Sequence, residues 1–359
     1  MKTLAIDCRM ARMSGIGVYL RNLAPKCMVL LARDARFRLL GYDGAFAVPE
    51  DCQWECVSFD VPIYSIAEQA RILPLLRGCD ALWMPHYPIP VLSRLPLAVT
   101  VHDVAHLALV DLLTRIQRLY ARFMFQAVRI KAAELIFVSE FSQREFLRYA
   151  GLPRGCMTVV HNGVDSAWLD CLPATITASK PYFLAVGNIK PHKNISLLCR
   201  AFARIASKCD VDLVLAGEYA GFRTSEASIE TLASICPGRI CFVGALEQKA
   251  LIDLMTGAQA LAFPSRYEGF GLPPLEALAA GIPVVASDIP PVREVCAEHA
   301  YYFSPGNEEQ LSQKLIEILA VSPERRKIDK ETGRVHAGRF SWEKAAQKTA
   351  GVLRRTLVL

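Results

Sequence analysis

The chain repeats one pattern, in which a short apolar run is followed by a polar or glycine-bearing loop and then by apolar positions at helical spacing. This alternation is typical of parallel sheets with helices on both faces. A first series of predicted strands is TLAID at 3–7, LAVTVHD at 97–103 and ELIFVSE at 134–140. A second series is YFLAVG at 182–187, DLVLAG at 212–217, ALAFPS at 260–265 and PVVASD at 283–288. The pattern predicts an α/β protein with two sheets.

The segment CLPATITASKP at 171–181 separates the two series and shows neither a strand nor a helix period, so we interpret it as a linker. A chain of 359 residues is about twice the size that one hydrophobic core usually serves. We therefore predict one domain over 1–170 and a second over 171–341. Apolar residues make up 52% and charged residues 21% of the chain, which excludes a disordered protein.

Two features bear on the compartment. No stretch approaches the ~20 apolar residues that span a bilayer, and Asp7 would interrupt the core of any signal peptide. The 12 cysteines form no Cys-x-x-Cys pair, and many lie in apolar runs, as Cys199 and Cys241 do. We expect a cytoplasmic protein whose cysteines are reduced core residues, with no structural zinc site.

Basic residues are concentrated in one predicted helix, although the net charge of the whole chain is only +6. The helix carries Arg115, Arg118, Arg122, Arg129 and Lys131. Such a face can bind anionic lipid headgroups and hold a protein peripherally on the inner face of the cell membrane. The alternative is an ordinary solvated helix face.

The segment FPSRYEGFGLPPLEALAAGIPVVASD at 263–288 carries the most specific motif. It predicts a strand, a tight loop and a helix that opens at Pro273 and Pro274 and ends at Gly281, with Glu276 in its first turn. We expect Gly269 and Gly271 to take positive φ and to expose backbone amides at the helix N-terminus, where phosphates bind.

Two carboxylates flank these amides and have a different use. Glu268 and Glu276 can accept hydrogen bonds from hydroxyl groups, and a nucleotide-sugar offers hydroxyls on both sides of its diphosphate. The alternative is that two surface glutamates flank an ordinary turn.

This segment resembles the Glu-x7-Glu motif of the family 4 retaining glycosyltransferases, which have the GT-B fold of two Rossmann-like domains with parallel sheets facing across a cleft. The resemblance implies that Glu268 contacts the transferred sugar and that Glu276 holds the ribose. It also implies that the amides of Phe270, Gly271 and Leu272 line the sugar and phosphate.

A second segment, VGNIKPHKNISLLCRAF at 186–202, is similar to the donor-phosphate loop of the same family. It places Lys193 beside a helix N-terminus, where its charge can neutralise a diphosphate. Family members commonly have an arginine just before this lysine, whereas Asn188 and Lys190 occupy the nearby positions here. We assign all three residues to donor binding, Lys193 being the firmest.

Weaker matches lie in the first half of the chain. Gly15 and Gly17 form a glycine loop after the first strand and would let the backbone approach the donor phosphate. Leu20 occupies the position of the third glycine of a dinucleotide fingerprint, so that motif fits poorly. The resemblance implies that His102, at a strand end, lies against the sugar hydroxyls. It also implies that a terminal helix at 342–359 crosses back to the first domain.

The expected reaction is a metal-independent hexosyl transfer with retention, in which His102, Glu268 and Lys193 are catalytic. Lys193 and the helix-terminal amides would take the place of a divalent ion. The triplet DVD at 210–212 could suggest a metal site, but it opens a predicted strand, at the end away from the expected ligands. We expect no cofactor and no nucleic-acid partner.

Donor selectivity depends on the loop that carries Val243, Gly244 and Leu246, which we assign to the base. The segments MPHYPIP, VHDVAH and SEFS are similar to segments of bacterial mannosyltransferases that build surface polysaccharides such as lipopolysaccharide. We therefore expect GDP-mannose as the donor. UDP-linked glucose or N-acetylglucosamine is the alternative, and the acceptor is a saccharide or a polyprenyl-linked saccharide. Two alternatives from other functional classes are an NAD-dependent oxidoreductase and an inactive sugar-nucleotide binding protein.

Overall fold

A computed structural model describes residues 1–109, 112–172, 180–218 and 229–358, with the side chains of 229 and 230 excepted. The chain divides into two compact units, Met1–Gly163 with Ser341–Leu359, and Val164–Phe340. The boundary thus falls a few residues before the predicted one, and most of the predicted linker, 173–179, lies outside the described residues.

The N-terminal unit is built on a seven-stranded parallel sheet in the order β3-β2-β1-β4-β5-β6-β7. Its strands are β1 Lys2–Asp7, β2 Ala35–Leu40, β3 Trp54–Val57, β4 Ala81–Met84, β5 Leu97–Val101, β6 Glu134–Phe137 and β7 Cys156–Val159. Its helices are α1 Ile16–Leu31, α2 Ile66–Leu75, α3 Ala105–Ala108, α4 Arg115–Lys131, α5 Glu140–Ala150 and α14 Trp342–Thr356.

The C-terminal unit is built on a six-stranded parallel sheet in the order β10-β9-β8-β11-β12-β13. Its strands are β8 Tyr182–Val186, β9 Asp212–Ala216, β10 Ile240–Gly244, β11 Ala260–Phe263, β12 Val284–Ser287 and β13 Ala300–Phe303. Its helices are α6 Ser166–Leu169, α7 Ile195–Ala206, α8 Ile229–Ser234, α9 Gln248–Thr256, α10 Leu272–Ala280, α11 Pro290–Cys296, α12 Glu308–Leu319 and α13 Pro323–Ala337.

Both sheets confirm the predicted α/β class, because buried strands such as β4 and β11 are apolar throughout and helices supply the remaining core. All predicted strands are present. The cysteines are free, and Cys199 is buried as expected. Cys241 is exposed, contrary to expectation, because β10 is an edge strand and this residue points away from the core.

The terminal helix α14 belongs to the N-terminal unit and packs against α1. Its apolar positions, including Trp342 and Val352, are buried. Arg355 donates two hydrogen bonds of 2.8 Å to the buried carboxylate of Glu134 on β6. At the start of the helix, the backbone of Trp342 lies so close to Gly163 that a Cβ there would come within 2.1 Å of its nitrogen. This glycine is therefore required by packing.

No helix in the described ranges combines the length and apolarity needed to cross a membrane.

Candidate active site

The chain order of the C-terminal sheet reverses beside β8, which has β9 on one side and β11 on the other. In open parallel sheets, ligands bind at the carboxyl ends of strands at such a reversal point. The loops that follow β8 and β11 carry the two motifs found in the sequence. The sheet topology therefore brings segments about 75 residues apart to one edge.

The loop after β8 is held by backbone contacts to its neighbours. The backbones of Gly187 and Gly217 are in close contact. A Cβ at position 217 would come within 2.1 Å of the Gly187 carbonyl oxygen. The amide of Arg266, in the loop after β11, donates to the carbonyl of His192 at 2.7 Å. The loop ends in a 3-10 turn, Pro191–Lys193, and α7 follows directly. Lys193 is thus fixed beside a helix N-terminus.

Lys193 and Glu268 form an ion pair, with 2.6 Å between Nζ and Oε1. The side chains keep 20% and 13% of their surface exposed, so both can still be reached by a ligand. The ammonium group also lies 5.6 Å from the centroid of the Phe263 ring. The residues predicted to contact the phosphate and the transferred sugar are therefore adjacent, and each neutralises the other.

The N-terminus of α10 is shaped by Gly271 and by the two prolines that follow. Gly271 caps the helix with φ of 114°, a conformation that glycine adopts without strain. Pro273 and Pro274 have no N–H, so the amides near this terminus come from Phe270, Gly271 and Leu272. The predicted positive φ at Gly269 is wrong, since Gly271 alone of the two adopts it.

Glu276 lies in the second turn of α10, not in the first as predicted, because the helix begins at Leu272, one residue before the prolines. Burial, and then the negative charge of Asp165, raises the pKa of Glu276 to about 7. Asp165 caps α6, where its Oδ1 accepts a 2.9 Å bond from the amide of Ala167, and α6 packs against α10. No pattern in the sequence indicates this role of Asp165, because it depends on the packing of α6 on α10.

The remaining donor residues lie at the same edge of this sheet. Asn188 and Lys190 belong to the loop after β8. Val243 and Gly244 end β10, where Val243 is exposed and Gly244 takes a φ of 74°. Leu246 follows in the next loop and is partly buried. Their assignment to the donor stays a prediction.

The N-terminal unit holds the other predicted residues. Gly15 caps α1 with φ of 70° and has open space around it. Gly17 is buried, and a Cβ there would come within 2.7 Å of the Ala11 carbonyl oxygen. Packing of α1 against its own preceding loop thus explains Gly17, whereas Gly15 is the one that leaves room for a ligand.

His102 follows β5, and its Nε2 is 2.9 Å from the carbonyl oxygen of Pro85. A carbonyl can only accept, so Nε2 carries the proton and Nδ1 is left as an acceptor. Burial lowers the pKa of His102 to about 4, which keeps the ring neutral near pH 7. The Tyr19 ring packs edge-on against it, with centroids 4.8 Å apart.

Sequence reasoning missed a buried ionic cluster at the end of β1. Arg9 binds both Asp7 and Glu68, and His86 lies 3.2 Å from Asp7. Burial alone would raise the pKa of Asp7, but Arg9 and then His86 hold it well below its usual range. Only the fold brings these residues together, so spacing along the chain could not have revealed them.

The DVD triplet is engaged in ion pairs. Asp210 pairs with Lys180 at 2.8 Å, and Asp212, which opens β9, pairs with Arg239 at 2.6 Å. Within the described ranges, no group of three or more His, Cys, Asp or Glu side chains is arranged to hold a metal ion.

Known families match both units. The family described as glycosyltransferase family 4 matches residues 13–168, and that described as glycosyl transferases group 1 matches residues 174–335. The O-antigen chain mannosyltransferase B of Escherichia coli is 29% identical over 231 residues, which cover 61% of this chain and 60% of that protein. The O-antigen chain mannosyltransferase RfbU of Salmonella typhimurium is 28% identical over 259 residues, 72% of this chain and 70% of that protein. The matches thus span about two thirds of the length of these relatives.

Solved structures share the whole fold. The sucrose-phosphate synthase of Thermosynechococcus elongatus superposes with a TM-score of 0.79 at 18% identity, covering 99% of both chains. That identity shows the fold alone, which is GT-B. Together, the two family matches, the two parallel-sheet units and the Glu-x7-Glu segment show that this chain belongs to the family 4 glycosyltransferases.

Proposed function

We propose that this protein is a retaining, metal-independent glycosyltransferase that moves a hexose from a nucleotide-sugar to a saccharide acceptor. The observation that carries the proposal is the Lys193–Glu268 pair, 2.6 Å long, at the sheet edge where the chain order reverses. A cation for the diphosphate and a carboxylate for the sugar hydroxyls are adjacent there, and the carboxylate of Glu268 belongs to the loop that leads into α10.

Breaking the bond between sugar and diphosphate develops negative charge on the leaving oxygen. Lys193 and the amides of Phe270, Gly271 and Leu272 would stabilise that charge, as preorganised donors do in other active sites. When the donor binds, its phosphate takes the place of Glu268 beside Lys193. The carboxylate of Glu268 is then released toward the hydroxyls of the sugar.

Glu276 and His102 have complementary binding roles. Glu276 would accept hydrogen bonds from the two ribose hydroxyls, one on each oxygen, and its ionised form suits this role because neither oxygen then carries a proton. The unprotonated Nδ1 of His102 would accept a hydrogen bond from a hydroxyl of the transferred sugar. Its lowered pKa supports this role, because a protonated ring would have no acceptor.

GDP-mannose is the proposed donor, with a saccharide or lipid-linked saccharide as acceptor. The support is that two relatives bear the name of O-antigen chain mannosyltransferases. A UDP-linked hexose or N-acetylhexosamine is the second candidate. Glu276 would hold the ribose of either nucleotide, and Val243, Gly244 and Leu246 carry no charge that would select one base.

The test is nucleotide release from GDP-mannose, UDP-glucose and UDP-N-acetylglucosamine by the full chain in EDTA. We expect release from one of them. Lys193→Ala should reduce it by about 100-fold, in the range found when one preorganised donor is removed. Lys314→Ala is the matched control, since this lysine pairs with Glu317 on the surface. Release from none of the three, or loss in EDTA with recovery in Mn²⁺, would contradict the proposal.

We also propose that α4 docks on an anionic membrane. Ile116, Leu119 and Phe123 lie on one stripe of this helix and are 82%, 71% and 55% exposed. Arg115 and Arg122 are exposed beside them. A helix with exposed apolar groups flanked by arginines fits the headgroup layer.

Three of the five predicted basic residues are engaged within the protein. Lys131 donates to the carbonyl oxygens of Val91 and Ser93 at 2.6 and 2.9 Å, and Arg129 donates to Oε1 of Gln126 at 2.8 Å. Arg118 is partly buried, and its Nε donates to the carbonyl of Leu113 at 3.0 Å, so it is less available to a headgroup. The exposed Ile130, further along the helix, adds to the apolar groups at Ile116, Leu119 and Phe123. This exposed apolar surface favours membrane docking over a simple solvated face.

A further inference from the structure

Four rings gather at the carboxyl ends of the strands in the N-terminal unit. Tyr64 follows β3, Tyr87 follows β4, His106 lies on α3 after β5, and Tyr120 lies on α4. The Tyr64 centroid is 5.8 Å from that of Tyr87, 6.0 Å from that of His106 and 6.3 Å from that of Tyr120. Tyr87 in turn stacks on the buried Phe125 ring at 4.3 Å. We call these four rings the aromatic cluster.

Tyr64 is the exposed member of the aromatic cluster. It keeps 43% of its surface in solvent, whereas Tyr87 is 8% exposed. Its backbone has φ of 67°, a left-handed conformation that is unfavourable for a bulky residue and persists only where the surroundings impose it. The structure therefore holds an exposed aromatic ring in a strained position.

The strain is imposed by the buried ionic cluster. The amide of Tyr64 donates to Oε2 of Glu68 at 3.0 Å, and Oε1 of Glu68 pairs with Arg9 at 2.5 Å. Arg9 is itself fixed by Asp7 and by the carbonyl of Val61. Ion pairs that are expensive to bury thus hold the backbone of this exposed tyrosine in place.

We propose that the aromatic cluster is the subsite for a pyranose ring of the acceptor, with Tyr64 as its stacking face; this rests on the proposed transfer to a saccharide. A pyranose presents an apolar face of C–H groups and an edge of hydroxyls. Tyr64 matches the face, and Tyr87, His106 and Tyr120 bring polar atoms beneath it. The Tyr120 hydroxyl has no hydrogen-bond partner among the described residues.

Two further observations favour a sugar over other ligands. The sheet order reverses between β1 and β4, and the loop after β4 carries both Tyr87 and the Pro85 carbonyl that binds His102. The aromatic cluster therefore adjoins the histidine assigned to the transferred sugar. Arg9, which is joined to the Tyr64 amide through Glu68, has only 6% of its side chain exposed, so it offers a phosphate little access.

The test is saturation-transfer NMR of the full chain with the methyl glycosides of mannose, glucose, galactose, rhamnose and N-acetylglucosamine. We expect the wild type and Tyr64→Phe to saturate at least one of them. Tyr64→Gly removes the ring and relieves the strained φ, so it should fold and weaken binding about tenfold, which is about 1.4 kcal/mol. Tyr64→Asn, which tolerates the left-handed region, should act like the glycine variant.

Two outcomes overturn the subsite: no methyl glycoside is saturated by the wild type, or the glycine and asparagine variants bind like Tyr64→Phe. Nucleotide release in EDTA separates this failure from failure of the proposed function. If release is found and Tyr64 is indifferent, only the subsite is refuted. If release is absent while saccharide binding depends on Tyr64, the transferase proposal is refuted and the aromatic cluster stands as a saccharide site without an acceptor role.

Discussion

Replacing Glu276 by Gln should stabilise the folded protein while weakening nucleotide binding. Burial, and then Asp165, raises the pKa of Glu276 from 4.5 to about 7. The folded state thus disfavours the carboxylate that would bind the ribose. Glutamine resembles the protonated acid in shape and cannot ionise. The substitution therefore removes both the cost of burying a charge and the carboxylate that binds the ribose.

The direction and size of the change in stability follow from proton linkage. Because the folded pKa is the higher one, stability from the protonated acid is fully present below pH 4.5 and is lost as the pH rises to about 7. At 1.36 kcal/mol for each pH unit, the loss is at most about 3 kcal/mol. Glu276 keeps some contact with solvent, so we expect about 1–2 kcal/mol.

Calorimetry of the full chain at pH 8 and pH 5 measures this effect. At pH 8, the transition of the unit Val164–Phe340 should move up by about 2–8 °C in Glu276→Gln. At pH 5 the difference should shrink, because the wild type is then protonated. Glu298→Gln is the matched control, since that side chain is 86% exposed and should change little.

Titration with GDP and UDP gives the opposite sign for binding. Affinity of the wild type should rise from pH 6 to pH 8 as Glu276 ionises, and the glutamine variant should bind more weakly with a flat profile. Glu268→Gln should keep its affinity for the bare nucleotide and lose turnover instead. A glutamine variant that is no more stable at pH 8, or that binds nucleotide like the wild type, refutes the reasoning.

Three further outcomes are expected. Gly163→Ala should lower the free energy of unfolding by about 1–3 kcal/mol in urea titrations, since the new Cβ meets backbone that cannot yield, and an unchanged midpoint would contradict the required close approach. Arg355→Met should lower the free energy of unfolding by about 1.5–3 kcal/mol, because Glu134 is left buried without its partner. Arg354 pairs with a half-exposed carboxylate, so Arg354→Met should lower the free energy of unfolding by less than about 1 kcal/mol. The wild type should sediment with anionic vesicles, and less of it should do so in high salt. A variant with both exposed α4 arginines changed to glutamine should sediment poorly, and equal sedimentation of the two proteins would show that α4 is a solvated face.

Local features of the chain were predictable because they depend on neighbours in sequence. Apolar runs gave the strands, and glycine and proline placed the ends of α10 to within one residue. The spacing of Glu268 and Glu276 around GFGLP resembles the family motif, and this resemblance depends on no tertiary contact. Where local reasoning failed, as at Gly269, it failed over backbone angles that the whole loop sets together.

Properties that join distant segments needed the tertiary structure. The order β9-β8-β11 brings Lys193 to within 2.6 Å of Glu268, and nothing in their separation along the chain specifies that distance. Packing of α6 on α10 gives Glu276 its raised pKa, and the order β1-β4 joins His86 to Asp7. The sequence by itself determined which residue types were present and which local elements carry them. Strand order decided which of them meet, because it depends on burial across the whole sheet and not on any local spacing.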